Sequence, residues 1–211
     1  MKTIRRIISL ALVLALACLC LAACGNNACE YAKTRNTEGR DISFAKITVK
    51  DYGEIVVLLD ATTAPKTVEN FKKLVSDGFY NGLSFHRIIK DFMIQGGDPK
   101  GDGTGDGPLK IVGEFKSNGY ENDIKHLRGT LSMARGNDNN SASCQFFICN
   151  ATSPHLDGSY AAFGYVLDGM DVVDEITEAK WHLGAGNNGT ITKKSLQPVI
   201  ESIVLLDNYE W

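Results

Sequence analysis

Ala45, Ile47 and Val49 alternate with Lys46, Thr48 and Lys50, a period of two that predicts a half-buried strand. Asp51-Tyr52-Gly53 supplies a turn, and residues 54–59, rich in β-branched side chains, predict the return strand of a β-hairpin. At Pro65 the period changes. Val68, Phe71, Leu74 and Val75 recur at helical spacing, the proline suits a first helical turn, and Gly78 stops the segment. Further strands are predicted at 84–89, 92–95, 130–134, 146–149, 162–167 and 199–206, with a second helix at 170–178. A hairpin start and strands without regular intervening helices favour an antiparallel, sheet-closing, mainly β architecture over a parallel α/β one. Spacing alone leaves barrel and sandwich both open. Without repeats or low-complexity blocks after residue 42, one domain is expected over residues 43–207.

The chain begins differently. Lys2, Arg5 and Arg6 precede an apolar run of 17 residues, 7–23, with no acidic residue before Glu30, which predicts an export signal. A retained membrane span wants about 20 apolar residues and polar anchors on both sides. Leu21-Ala22-Ala23-Cys24 followed by Gly25 resembles the bacterial lipoprotein box, which implies cleavage after residue 23 and acylation of Cys24. That leaves 188 residues and moves the formal net charge from −3 to −6. Polar residues 24–42 then read as a tether with a reach of about 25 Å, which places the domain close to the membrane on its extracytoplasmic side.

Composition narrows the functions. A pI near 5.8, without a Lys/Arg cluster beyond the first six residues, gives no footprint for nucleic acid. The 21 glycines and 5 prolines disfavour a helical bundle. Cys144 and Cys149, flanking Phe146-Phe147-Ile148, would stand roughly 16 Å apart on an extended strand, too far for a bridge to each other, and read as small, partly buried residues; with Cys29 they make three cysteines, which cannot all pair. Gly101-Asp102-Gly103-Thr104-Gly105-Asp106-Gly107 matches neither phosphate-binding spacing, and Asp98, Asp102 and Asp106 lack calcium-loop spacing. His86, His126, His155 and His182 are scattered, so no metal and no cofactor is expected. Three sequons, at Asn139, Asn150 and Asn188, are given no function in an exported bacterial chain.

The informative stretch is Ser84-Phe85-His86-Arg87-Ile88-Ile89-Lys90-Asp91-Phe92-Met93-Ile94-Gln95-Gly96-Gly97-Asp98. A long cation and a primary amide share short strands with large apolar groups, which is odd company for a plain core. A second cluster runs Leu131-Ser132-Met133-Ala134-Arg135-Gly136 and, after an Asn-rich loop, Ser143-Cys144-Gln145-Phe146-Phe147-Ile148. A third runs His155-Leu156-Asp157-Gly158-Ser159-Tyr160-Ala161-Ala162-Phe163-Gly164. Together, from about residue 44 to 206, these resemble the cyclophilin family of peptidyl-prolyl cis-trans isomerases.

The resemblance implies a closed eight-stranded antiparallel β-barrel capped by two helices, with a peptide groove on its outer face. It implies a catalytic group of Arg87, Gln95 and Phe92, in which Arg87 is the family's catalytic arginine and Gln95 orients it. Phe92, Met93, Phe147 and Leu156 would line a proline pocket, and Gly103, Ala134, Arg135 and Gln145 the groove beside it. Three positions depart from the common pattern: Arg135 stands where Asn is frequent, His155 where Trp is frequent and Tyr160 where His is frequent. Weak cyclosporin affinity is the expectation from His155. The implied partners are proline-containing peptides and exported, folding proteins, served by a monomer. A tethered peptide-binding module without catalysis is the alternative, and Arg87 with Gln95 argues against it. A two-lobed solute-binding lipoprotein would want a longer chain. Residues 180–197 give no readable role.

Overall fold

The structure, a computed structural model, describes residues 37–179, 182 and 184–210. Cys24, Cys29, the leader and the tether up to residue 36 therefore lie outside the described residues, as do Lys180 and Trp181. Among the described residues, eight strands and two α-helices follow in chain order: β1 (Ile42–Val49), β2 (Gly53–Asp60), α1 (Pro65–Ser76), β3 (Phe85–Ile89), β4 (Met93–Gly96), β5 (Thr130–Met133), β6 (Phe146–Cys149), β7 (Ala162–Asp168), α2 (Met170–Glu178) and β8 (Ile200–Leu206). Ahead of β1, Asp41 N–H donates to Thr62 Oγ1 and Arg40 forms an ion pair of 2.7 Å with Asp60, a buried carboxylate.

All seven strand pairings are antiparallel, in the order β3-β4-β6-β5-β7-β2-β1-β8. The curled sheet brings its two edges together at the starts of β3 and β8, where Ser84 bridges Val199 and the amides of Gly82 and Phe85 donate to the carbonyls of Ile200 and Pro198. Along the rest of β3 the outer edge is occupied by residues 189–191: Ile88 N–H donates to Gly189 O and Ile191 N–H to His86 O. The ladder is thus not continuous around a ring, and the closed barrel implied by the resemblance reduces to a curled eight-stranded sheet stitched at one seam. The physical reason is that another segment has taken the hydrogen-bonding edge that β8 would need.

One face of the curl and both helices share a single core. Ala45, Ile47 and Val49 of β1 meet Ile55, Val57 and Leu59 of β2, Val68 and Phe71 of α1, and Val173 and Ile176 of α2. Phe71 packs edge-on against Phe146 at 5.6 Å and beside Phe163 at 5.3 Å, so α1 is held by its aromatic. The N-terminus of α1 has no side-chain cap of its own; the buried carboxylate of Glu114 accepts from the amides of Lys66 and Thr67 instead. Both faces of β2 are covered, since Leu58 packs with Ile124, Tyr165 and Leu167, which explains why β2 lacks the alternation that marks β1. Cys144 and Cys149 are buried free thiols, and Cys149 is pushed up to about 12 by burial, so neither is a nucleophile at neutral pH.

Candidate active site

Strand register builds the site. Cross-strand neighbours share a face, and the pairs Arg87↔Gln95, Gln95↔Phe147 and Phe147↔Ser132 form one row across β3, β4, β6 and β5. Met93, two residues before Gln95, falls on the same face and joins Phe147, Cys149 and Leu156 in a cluster separate from the main core. Ile94, Phe146 and Ile148 point the other way, into that core. Regular alternation would put Arg87 on the same side as Phe85, which is fully buried. The register instead slips between Phe85 and Arg87, a bulge with His86 as the extra residue. The bulge lets Phe85 fill the core while Arg87 faces out.

Arg87 is half-buried and held at two points: its Nε donates to Asn188 O at 2.9 Å and its Nη1 to Gln95 Oε1 at 3.2 Å. The Gln95 amide is fixed in turn, its Nε2 donating to Gln145 Oε1 at 2.9 Å. Gln145 Nε2 then donates to Gly105 O at 2.8 Å and Gly103 O at 3.3 Å. This chain ends on the glycine-rich loop, which Asp98 organises by accepting from the amides of Lys100, Asp102 and Gly103. Burial lowers the Arg87 guanidinium from its ordinary range, with the Tyr160 phenol opposing, and it stays a cation at neutral pH. No carboxylate pairs with it among the described residues.

Beside the guanidinium lies a slot of about 120 Å³, lined by Arg87, Phe92, Met93, Gln95, Ala134, Arg135, Phe147, Leu156 and Tyr160. That is several times the ~30 Å³ share of one liquid water and suits a small ring. An adjoining hollow of about 240 Å³ shares Gln95, Ala134 and Arg135 with the slot and adds Gly103 and Gln145. His155 is exposed and tilts against Phe92 at 5.4 Å, outside the slot lining. Every pocket and groove residue named by the resemblance therefore falls on one continuous surface, with His155 at its rim. A larger hollow of about 730 Å³, near Asp51, Glu175 and residues 195–199, contains none of them, so size alone does not select the site.

The Arg135 guanidinium lies between the rings of Tyr160 and Phe115, at 4.8 and 5.2 Å, and donates to Ser159 O. It thereby braces the β5 end against the segment bearing Tyr160.

Sequence reasoning missed three participants. Asn188 acts through its backbone carbonyl, which leaves no trace in residue type. It belongs to the unreadable 180–197 segment, which packs tightly on β3 at Gly189: a Cβ there would stand 2.5 Å from Ile88 O. The others are His126 and Asp157. His126 is fully buried, its ring stacked on Phe147 at 6.0 Å and 15°, with Nδ1 at 3.0 Å from Asp157 Oδ1 and Nε2 at 3.0 Å from Ser132 Oγ. A histidine beside an unexplained Asp in the Leu156-Asp157 turn was the available signal, but nothing in the spacing joins them.

A family model described as cyclophilin type peptidyl-prolyl cis-trans isomerase matches residues 44–200. A peptidyl-prolyl cis-trans isomerase of Synechococcus elongatus is 53% identical over 105 residues, covering 50% of this chain and 68% of that protein. Peptidyl-prolyl cis-trans isomerase-like 3 of Homo sapiens is 44% identical over 127 residues, 60% of this chain and 77% of that one. Peptidyl-prolyl cis-trans isomerase-like 2 of Rhizopus delemar is 46% identical over 136 residues, and the match spans only 25% of that longer relative. Among solved structures, a Cryptosporidium parvum cyclophilin type peptidyl-prolyl cis-trans isomerase superposes with a TM-score of 0.69 at 28% identity, covering 80% of this chain and 100% of that one. The same enzyme solved in the presence of the dipeptide Ala-Pro gives 0.68 at 29% identity, covering 78% and 99%.

Proposed function

The chain belongs to the cyclophilin-type peptidyl-prolyl cis-trans isomerases, and from that premise we propose that the slot beside Arg87 seats a proline ring while the guanidinium stabilises the twisted X-Pro amide. Rotation about an amide breaks resonance, at about 18–20 kcal/mol, and leaves X-Pro bonds exchanging over tens to hundreds of seconds unaided. No bond is made or cut. What is needed is a grip on the ring and a donor that meets the amide better when it is twisted than when it is planar. As conjugation is lost the nitrogen gains lone-pair character, and a fixed cation beside it stabilises that state more than either planar one. Met93, Phe147 and Leu156 supply the grip, and Phe92 the mouth. Asn188 O and Gln95 hold Nε and Nη1, which leaves Nη2 of Arg87 for the substrate.

The observation that supports this most directly is a guanidinium without a carboxylate partner among the described residues, on the rim of an open slot walled by Met93, Phe147 and Leu156. The test is two-dimensional exchange NMR on an Ala-Pro-containing tetrapeptide with the folded domain at catalytic concentration. Cross-peaks between cis and trans signals that appear with enzyme and scale with its amount support the reading. Shifted peaks without faster exchange would reduce the protein to a binder.

We propose further that residues 1–23 direct export and that Cys24 is acylated, which would hold the isomerase at the extracytoplasmic face of the membrane among newly exported, still folding proteins. The residues before Cys24 and the polar stretch between it and Arg40 support this. Cys24→Ser should abolish palmitate labelling and release the protein from the membrane fraction. Unchanged labelling would sink the anchor.

A further inference from the structure

Two walls of the slot, Phe147 and Leu156, sit on different segments, and one buried histidine touches the support of both. The turn at Pro154–Leu156 carries His155 and Leu156 and is joined to residue 126 by three contacts. Ser153 N–H donates to His126 O at 2.7 Å, and Asp157 Oδ1 accepts both from His126 N–H at 2.8 Å and from its Nδ1–H at 3.0 Å. Since a carboxylate only accepts, it fixes the ring proton on Nδ1, and Nε2 must accept from Ser132 Oγ–H at 3.0 Å in the middle of β5. The ring is therefore locked at both nitrogens with one orientation, and its face lies against Phe147, whose own edge meets Tyr160 at 6.0 Å.

We infer that Asp157 and His126 form a positioning strut that sets the proline slot, fixing the gap between Phe147 and Leu156 without touching substrate. The inference rests on the reading of the slot as the proline site. Burial keeps the imidazole neutral by lowering its affinity for a proton, against the opposing pull of Asp157, and a neutral ring is what the two-bond lock requires. Burial also works against the Asp157 carboxylate, yet the bonds from the His126 backbone and ring outweigh it and hold the group below its usual range. Among the described residues only Lys125 adds another ion-pair contact to Asp157, at 3.6 Å. The strut is separate from the Arg87-Gln95-Gln145 chain, so the two should fail differently: a loose slot weakens grip in ground and transition states alike, which raises KM and leaves kcat.

The experiment measures kcat, KM and the peptide dissociation constant for wild type, Asp157→Ala and Asp157→Asn by exchange NMR and titration, with thermal midpoints to confirm folding. Asp157→Ala should raise KM and the dissociation constant about 5–20-fold, with kcat within about threefold. Asp157→Asn, whose amide oxygen still accepts from both His126 donors, should restore binding to within about threefold of wild type. If Asp157→Ala does not fold, His126→Phe, which keeps a ring on Phe147 and cuts both ring bonds, should show the same rise. A folded Asp157→Ala with unchanged KM, a fall confined to kcat, or an asparagine that folds without restoring binding would overturn the strut. Wild type that neither binds the peptide nor speeds its exchange would instead overturn the slot reading, and the strut with it.

Discussion

Replacing Arg87 by alanine separates the two things its guanidinium does. In the resting protein it donates to Asn188 O and Gln95 Oε1, one bond exposed and one part-buried. Water can reach both acceptors once the side chain is gone, so the loss in fold stability should stay near the ordinary ~0.5–1.5 kcal/mol of a hydrogen bond. The transition state loses a charge-assisted bond, worth about 1.5–3 kcal/mol; the second guanidinium in the slot lining, that of Arg135, is held between the rings of Tyr160 and Phe115. At about 1.4 kcal/mol per factor of ten, turnover should fall roughly 10- to 140-fold. Arg87→Lys should recover only part of this, because an ammonium keeps the charge but cannot span Asn188 and Gln95 as the planar fork does. The assay is cis/trans exchange on an Ala-Pro tetrapeptide at saturating concentration, with near-UV circular dichroism to show that packing is intact. An exchange rate unchanged in Arg87→Ala, or a loss matched by loss of folded signal, would refute the role assigned to the guanidinium.

Other outcomes follow from particular contacts. Stability should fall as pH drops below about 6.5, the unfolded value for histidine, because burial lowers His86 and His126 in the fold and the unfolded chain then binds more protons. Urea titrations at pH 7.5, 6.5 and 5.5 read this directly, and His86→Gln should flatten the slope; a flat wild-type profile would refute it. Gly169→Ala should cost at least about 2 kcal/mol, roughly 4–8 °C in Tm by calorimetry, since φ there is +89° and a Cβ would meet Glu54 O at 2.3 Å. Cyclosporin should bind weakly because His155 stands exposed beside Phe92 where the family often has tryptophan. A submicromolar dissociation constant by fluorescence titration would contradict that.

What the sequence revealed depended on whether a residue's role is local. Helix α1 was readable because Val68, Phe71, Leu74 and Val75 bury one stripe, and Pro65 and Gly78 mark its limits. Strand β1 was readable because one face is half open; β2 was located by its β-branched residues, since with both faces covered its burial has no period. The ion pair of Arg40 is not legible in the sequence, because its partner Asp60 lies twenty residues on. At the site, the motif residues were legible through the resemblance, whereas their supports were not. The His86 bulge is a property of how β3 pairs with β4, and the Asn188 carbonyl is backbone. The Asp157–His126 contact joins residues 31 apart that only the fold brings together.

The candidate site lies where regular pairing breaks down, and the physics gives a reason. A strand ladder satisfies its own backbone and turns alternate side chains to fixed faces, so it cannot by itself place an arginine where alternation calls for a core residue. The bulge at His86 turns Arg87 outward, and residues 189–191, taking the free edge of β3, bring a carbonyl to its Nε. The opposite tether comes from Gln95, fixed through Gln145 by carbonyls of the glycine-rich loop, itself gathered by Asp98. Both supports of the guanidinium thus trace back to loops, while the slot beside it is walled by Met93 of β4, Phe147 of β6 and Leu156 of the Pro154–Leu156 turn. A substitution in those loops should therefore disturb the donor before it disturbs the grip, whereas one beneath Phe147 should do the reverse.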